Sequence, residues 1–388
     1  MTTPPIQRVL VVHNRYQQRG GEDAVVDDEV AMLRGAGLDV RLYERDNQDL
    51  ATMPAAGAAL QTLWSGRTAR EVGALLDGFR PDVVHVHNMF PLVSPSVYAA
   101  AAKRNVALVQ TLHNFRLLCP QAMLLRDGRP CEDCVGRVPW RAVAHGCYRG
   151  SRAQSAVLAA MLATQRAAGT WQRRIGRYIA LNDFCRERFV AGGLPAARIR
   201  VKPNFVDLPQ LAPMPRLGFL FVGRLSPEKG VQVLAEAASY EDLRSPVRVA
   251  GSGPEESSLA GHPKLQLLGA LSPASVYEEM RRAVALVLPS LCYESFPRTL
   301  AEAFALGLPV IASRLGAMAA LVEDGRTGLL FEPGNAADLL AKLRWAENHP
   351  ERMAAMGQAA RRHYERHLGR AENLRLLLQI YAEAVDAA

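Results

Sequence analysis

Short apolar runs, each followed by a turn and a helical pattern, recur along this 388-residue chain and constrain its fold more than any other feature. Arg8–His13 (RVLVVH), Pro81–His87 (PDVVHVH) and Val106–Leu112 (VALVQTL) are rich in valine and leucine without strict alternation, as in strands buried on both faces. Asp39–Tyr43, Tyr178–Leu181 and Ile199–Asn204 continue the series. Between them lie helical patterns, one through Val25, Val26, Val30 and Leu33 ended by Gly35 and Gly37, another at 69–79. This alternation predicts a doubly wound parallel sheet. It restarts at Phe219–Val222 and runs through 247–253, 265–269, 283–288, 310–313 and 327–331.

A chain of this length exceeds one ordinary core, and two domains of about 200 residues are expected. We place the first at 1–205, the second at 206–370, and a helix at 371–388 that packs back on the first domain. The proline-rich stretch Pro209–Pro215 is the linker. A hydrophobic content of 49% with 22% charged residues describes a folded enzyme and excludes a disordered chain. No apolar run approaches the ~20 residues that span a bilayer. The start, MTTPPIQRVLVVHN, has too short an apolar core for a secretory segment, so the expected location is cytoplasmic.

The net charge of +8 is local, because residues 103–177 carry 13 basic and 3 acidic side chains. Such a surplus attracts phosphates, anionic lipid headgroups or nucleic acid, and the bland alternative is an arginine-rich solvated surface. No nucleic-acid-binding module is visible. In 151–178 an alanine-rich helix pattern leads into Trp171, Arg173, Arg174, Arg177 and Tyr178, which fits either a membrane-surface element or a helix covering the sheet.

Chemistry concentrates at Leu288–Pro309 (LPSLCYESFPRTLAEAFALGLP). Pro297 opens a helix and Gly307 with Pro309 stops it, so Glu294 lies in the loop before the helix and Glu302 in its second turn. Two acids so placed are two grips on one elongated ligand; the alternative is that Glu302 is merely solvated. Upstream, Phe219–Val222 runs into Gly223-Arg224-Leu225-Ser226-Pro227-Glu228-Lys229-Gly230. Two fixed cations in a strand-to-helix turn suit a diphosphate, whose charge rises as it leaves.

Together these stretches resemble the Glu-x7-Glu and G-R-L-x-x-E-K-G motifs of glycosyltransferase family 4, retaining enzymes of GT-B fold that use nucleotide sugars. The resemblance implies two Rossmann-like domains facing across a cleft, the donor in the second and the acceptor in the first. It implies that Arg224 and Lys229 hold the donor diphosphate, that Glu294 faces the sugar, and that Glu302 binds the ribose hydroxyls. Leu271 falls in the loop that lies against the nucleobase in the family, and Gly316 opens a helix near phosphate. Asn204-Phe205-Val206-Asp207 resembles the family's junction motif with Phe205 in place of glycine.

In the first domain, Gly20-Gly21 after the first strand lets backbone N–H groups approach an anion, and resembles the family's acceptor-side glycine loop. His113 falls where the family has a histidine against the donor sugar, and Asn114 replaces the family's aspartate beside it. His85 and His87 alternate on one strand; with no third ligand in sight we read them as a packed strand end rather than a metal site. Cys119, Cys131, Cys134 and Cys147, spaced C-x11-C-x2-C-x12-C in an insertion at 115–150, are a candidate structural zinc set, with free thiols or a disulfide as alternatives.

The resulting expectation is a metal-independent retaining glycosyltransferase, with a UDP-sugar favoured over a GDP-sugar as donor. Its acceptor is anionic or lipid-linked, in polysaccharide, glycolipid or natural-product synthesis, with peripheral contact at the inner face of a membrane. A GT-B sugar-nucleotide epimerase or phosphorylase, and a non-catalytic nucleotide-sugar-binding protein, remain the alternatives.

Overall fold

The computed structural model describes residues 6–209 and 214–388, so part of the proline-rich linker lies outside the described residues. The chain divides into two compact units, Met1–Leu124 with Glu132–Pro203 and Arg370–Ala388, and Leu125–Cys131 with Asn204–Gly369. The first therefore recruits the last helix of the chain.

In the first unit, β1 (Arg8–Arg15), β2 (Asp39–Asp46), β3 (Val83–Val86) and β4 (Ala107–Thr111) are followed by a two-stranded antiparallel hairpin, β5 (Leu125–Arg126) and β6 (Arg129–Pro130), which is grouped with the second unit. Asp127 and Gly128 turn it with positive φ at both positions, the geometry that matches strand twist in a two-residue hairpin. We placed all of 115–150 in the first domain; the hairpin, which pairs only with itself, is grouped outside it. Then come β7 (Arg177–Ala180) and β8 (Ile199–Val201), completing a sheet of order β2-β1-β3-β4-β7-β8, parallel throughout. Val9–Val12 and Val83, Val84 and Val86 are fully buried, which is why these segments read as unbroken apolar runs. The order reverses between β1 and β3, and loops after the carboxyl ends of strands at such a switch point are where ligands bind in doubly wound sheets. Those loops carry Tyr16–Gly20 and His87–Asn88.

The helix Arg370–Val385 packs against β3, β4 and β7 within this unit, burying Leu377, Ile380, Tyr381 and Ala384. The helix Arg152–Ala167 ends at Gly169, whose φ of +67° a side chain would strain. Trp171 then turns inward, 1% exposed and edge-on to Tyr98, while Tyr178 donates its hydroxyl to the Trp171 carbonyl. The membrane-surface alternative for 151–178 thus loses both aromatic anchors to the core.

The second unit holds β9 (Phe219–Val222), β10 (Val247–Ala250), β11 (Leu265–Gly269), β12 (Ala285–Leu288), β13 (Val310–Ser313) and β14 (Gly328–Phe331). Its sheet, β11-β10-β9-β12-β13-β14, is also parallel and reverses between β9 and β12. Phe219, Phe221, Val247, Val249, Ala285, Val287 and Ile311 form its core with Leu339 and Leu343 of the helix Ala336–Asn348. The loops after β9 and β12 carry Arg224–Lys229 and Ser290–Glu294, so both motifs emerge at the switch point. Gly230 locks them together: its φ is +69°, and a Cβ there would sit 1.9 Å from the Pro289 carbonyl oxygen.

Candidate active site

In the second unit the strand ends bring Lys229 and Glu294 into contact, with Lys229 Nζ donating to Glu294 Oε1 at 2.6 Å. Ser290 Oγ donates to the same oxygen at 2.9 Å. Burial disfavours the charge on Lys229, but Glu294 outweighs it and holds the ammonium above its ordinary pKa. The sequence reading assigned these residues to diphosphate and sugar separately and missed their contact. Arg224 is exposed, and among the described residues no carboxylate pairs with it, while Gly223 and Leu225 on either side are anchored by backbone bonds to Ala250 and Ser252. A cation on a pinned loop suits an anionic ligand, because its backbone needs no reordering on binding.

Glu302 is 7% exposed on the inner side of the helix Arg298–Ala305, so it is not a solvated helix residue. Arg298 Nε donates to Oε1 at 3.0 Å and the Tyr277 hydroxyl lies 3.5 Å from the same atom. Leu271 is half-buried between β11 and the helix Pro273–Arg282, and Gly316, with φ of +55°, starts the helix Gly316–Leu321 after β13.

In the first unit Gly20 caps the helix Gly21–Gly35, and its N–H donates to Asp23 Oδ2 at 2.8 Å. Glu22, one residue past the double glycine, accepts from the Tyr16 hydroxyl at 2.8 Å and lies 3.5 Å from Asn114 Nδ2. Burial raises its carboxyl pKa to about 7, against the pull of His13 and the Tyr16 hydrogen bond. A carboxyl group therefore stands beside Asn114 after all, supplied by a different element from the aspartate of the resembling family.

His85 and His87 have a third partner that the sequence reading missed. Glu29, from the helix Gly21–Gly35, brings its Oε1 to 3.0 Å from His85 Nδ1 and 3.1 Å from His87 Nε2, and the three ligand atoms lie within 4.8 Å of one another. Lys202 Nζ donates to Glu29 Oε2 at 3.1 Å and to Asn373 Oδ1 at 2.8 Å. Burial opposes ionisation of Glu29, but Lys202, His85 and His87 outweigh it and hold its pKa well below the usual carboxylate range. The signal was there: Glu29 falls on the same helical stripe as Val25, Val26 and Leu33, a carboxylate where an apolar residue belongs. His113, at the carboxyl end of β4, joins through a 2.9 Å bond between its Nε2 and His87 Nδ1.

The cysteines form no disulfide. Cys119 and Cys134 are buried, Cys131 and Cys147 half-buried, and among the described residues the only group with metal-ligand spacing is Glu29–His85–His87. The four thiols are not brought to that spacing.

Two parallel α/β units, each with polar side chains gathered after the switch-point strands, define a protein of the GT-B class. Residues 19–210 match the profile of Glycosyltransferase Family 4 and residues 209–363 that of Glycosyl transferases group 1. The chain belongs to this family of glycosyltransferases. It is similar to the phosphatidyl-myo-inositol mannosyltransferase of Mycobacterium leprae, 35% identical over 217 residues, 50% of this chain and 57% of that protein. A D-inositol 3-phosphate glycosyltransferase of Streptomyces avermitilis is 37% identical over 195 residues, 45% of this chain and 40% of that protein. The chain thus spans about half the length of these curated relatives. In fold it is similar to Anabaena HepE crystallised with UDP, with a TM-score of 0.68 and 16% identity, covering 96% of this chain and 99% of that one.

Proposed function

We propose that this protein is a retaining glycosyltransferase that moves a sugar from a nucleoside diphosphate sugar to an acceptor hydroxyl without needing a metal. The observation that carries this is the Lys229–Glu294 pair on the switch-point loops of the second unit, beside the anchored Arg224 turn. In this reading Arg224 and Lys229 take up charge on the leaving diphosphate, the place where fixed cations stabilise a transition state most. Glu302, steadied by Arg298 and Tyr277, accepts the ribose hydroxyls. Glu294 and His113 orient the sugar, Leu271 flanks the base and Gly316 lies near phosphate. The glycine loop at Gly20 and Gly21 serves the acceptor side. The UDP held by the HepE structure favours a UDP-sugar.

The basic segment 103–177 and the lipid named for the Mycobacterium leprae relative favour an anionic or lipid-linked acceptor met at the inner face of a membrane. For the four cysteines we propose structural zinc on the strength of their spacing, which requires the sulfurs to draw closer together.

A thermal-shift screen against UDP-, GDP- and ADP-sugars, with Lys229→Ala and Glu302→Ala beside the native chain, tests the donor site. One nucleotide should stabilise the native protein, and both variants should lose at least about tenfold in affinity, the effect of removing a charged hydrogen-bond partner. Unchanged shifts in both variants would refute the assignment.

A further inference from the structure

The buried contacts in the first unit run in one unbroken line, from Lys202 Nζ to Glu29 Oε2, from Glu29 Oε1 to His87 Nε2, and from His87 Nδ1 to His113 Nε2, at 3.1, 3.1 and 2.9 Å. Lys202, Glu29 and the His87 side chain are at most 2% exposed, whereas His113 is half-buried. We propose that Glu29, acting through His87, is a positioning residue that fixes His113 in the tautomer protonated on Nε2, so that Nδ1 is presented as an acceptor for a hydroxyl of the donor sugar. This rests on the reading of His113 as a donor-sugar contact given above.

Each link follows from the one before. An ammonium has only hydrogens to offer, so Glu29 is held as a carboxylate by Lys202. Glu29 Oε1 and His87 Nε2 make no in-line hydrogen bond, yet at 3.1 Å a nitrogen lone pair would repel the carboxylate oxygen while an N–H is attracted to it. His87 is neutral, because burial drives its pKa down to about 3, so a proton on Nε2 leaves Nδ1 as a bare acceptor. His113, also kept neutral by burial, must then donate from Nε2 and keep its lone pair on Nδ1. A hydroxyl satisfies that lone pair; a carboxylate, as on a uronic acid, is repelled by it.

A metal at Glu29, His85 and His87 is the competing use of the same atoms. Both His85 nitrogens are already engaged, Nδ1 with the Tyr381 hydroxyl at 2.8 Å and Nε2 with Thr111 Oγ1 at 2.7 Å. Glu29 and Lys202 already balance in charge, so a divalent ion would add two buried positive charges with no counterion.

Glu29→Gln makes the relay run backwards. Lys202 would keep the amide oxygen on its side, turning the NH2 toward His87 Nε2 and forcing that nitrogen to accept. The His87 proton then belongs on Nδ1, where it donates to His113 Nε2 and moves the His113 proton to Nδ1. Ring-15N-labelled histidine in the full-length protein, with His113 assigned through His113→Gln, reads these states directly in long-range 1H–15N spectra at pH 7 without ligand. The native chain should show His87 and His113 neutral and protonated on Nε2; Glu29→Gln should show both protonated on Nδ1. Its kcat/KM for the donor should fall about 10- to 100-fold, as expected when a polar contact is left unpaired, while the acceptor KM is unchanged. If Glu29→Gln does not fold, the native spectrum decides by itself. His113 protonated on Nδ1 or doubly protonated in the native protein overturns the proposal, as does a chelator-sensitive metal shift at His87. Correct tautomers in a protein that neither binds nor turns over any nucleotide sugar would support the relay and sink the donor reading instead.

Discussion

Glu22 illustrates how one side chain acquires a property its sequence neighbours do not announce. Its carboxyl is drawn inward beside Tyr16 and Asn114, and burial lifts its pKa from 4.5 to about 7. Between those two values the folded chain binds a proton there that the unfolded chain has already released, so stability falls as pH rises through the window and levels off above about 7. We expect urea unfolding to show native stability declining from pH 5 to pH 7 relative to Glu22→Gln, by about 1–3 kcal/mol. Parallel curves for the two proteins would show that Glu22 titrates normally. Glu302 and Glu294, unlike Glu22, each meet a cation, Arg298 for one and Lys229 beside Ser290 for the other. The Glu294–Glu302 spacing was legible in the sequence; those partners, from 4 to 65 positions away, were not.

At the scale of elements, the insertion at 115–150 follows the alternating pattern least. It supplies one short hairpin and the helix Trp140–Ala144 between β4 and the helix Arg152–Ala167, with positive φ at Ala122, Leu124, Asp127 and Arg149. Phe115, Leu118 and Leu124 anchor its start in the core, but beyond them few apolar side chains are buried, and a metal there would supply what a core does not. Elemental analysis of protein purified without added metal should find about one zinc per chain, abolished by Cys131→Ser with Cys134→Ser. Absence of zinc from the native protein would remove the proposal. The regular elements were legible because buried parallel strands must be apolar on both faces, as Val9–Val12 and Ala285–Leu288 are. The hairpin and the turn at 170–174 were not, since short turns are set by backbone dihedrals and by what lies next to them.

Over the whole molecule, basic charge and exposed apolar side chains coincide in the first unit. Leu60 and Trp64 belong to the helix Ala55–Leu63 and its C-cap, Val138 and Trp140 to the start of the helix Trp140–Ala144, and all four are exposed. Both helices pack on Arg152–Ala167, inside the segment with 13 basic and 3 acidic residues. Aromatic side chains with arginines around them suit the interface of an anionic bilayer. The protein should float with vesicles containing phosphatidylserine, less so as salt is raised, and Trp64→Ala with Trp140→Ala should weaken binding. Equal recovery with neutral and anionic vesicles would exclude a membrane role for the basic segment.

What the sequence determined by itself was the repeating strand–helix pattern, the division into two parallel sheets, and the motif residues Arg224, Lys229, Glu294 and Glu302, because each depends on neighbours within a few positions. Only the tertiary structure decided which side chains meet. Lys202 reaches Glu29 across 173 positions, and His85 reaches Tyr381 across 296, because the last helix folds back into the first unit. A buried charge is stable only beside its partner, and the partner's place is set by the order of strands in a sheet, which local periodicity does not encode.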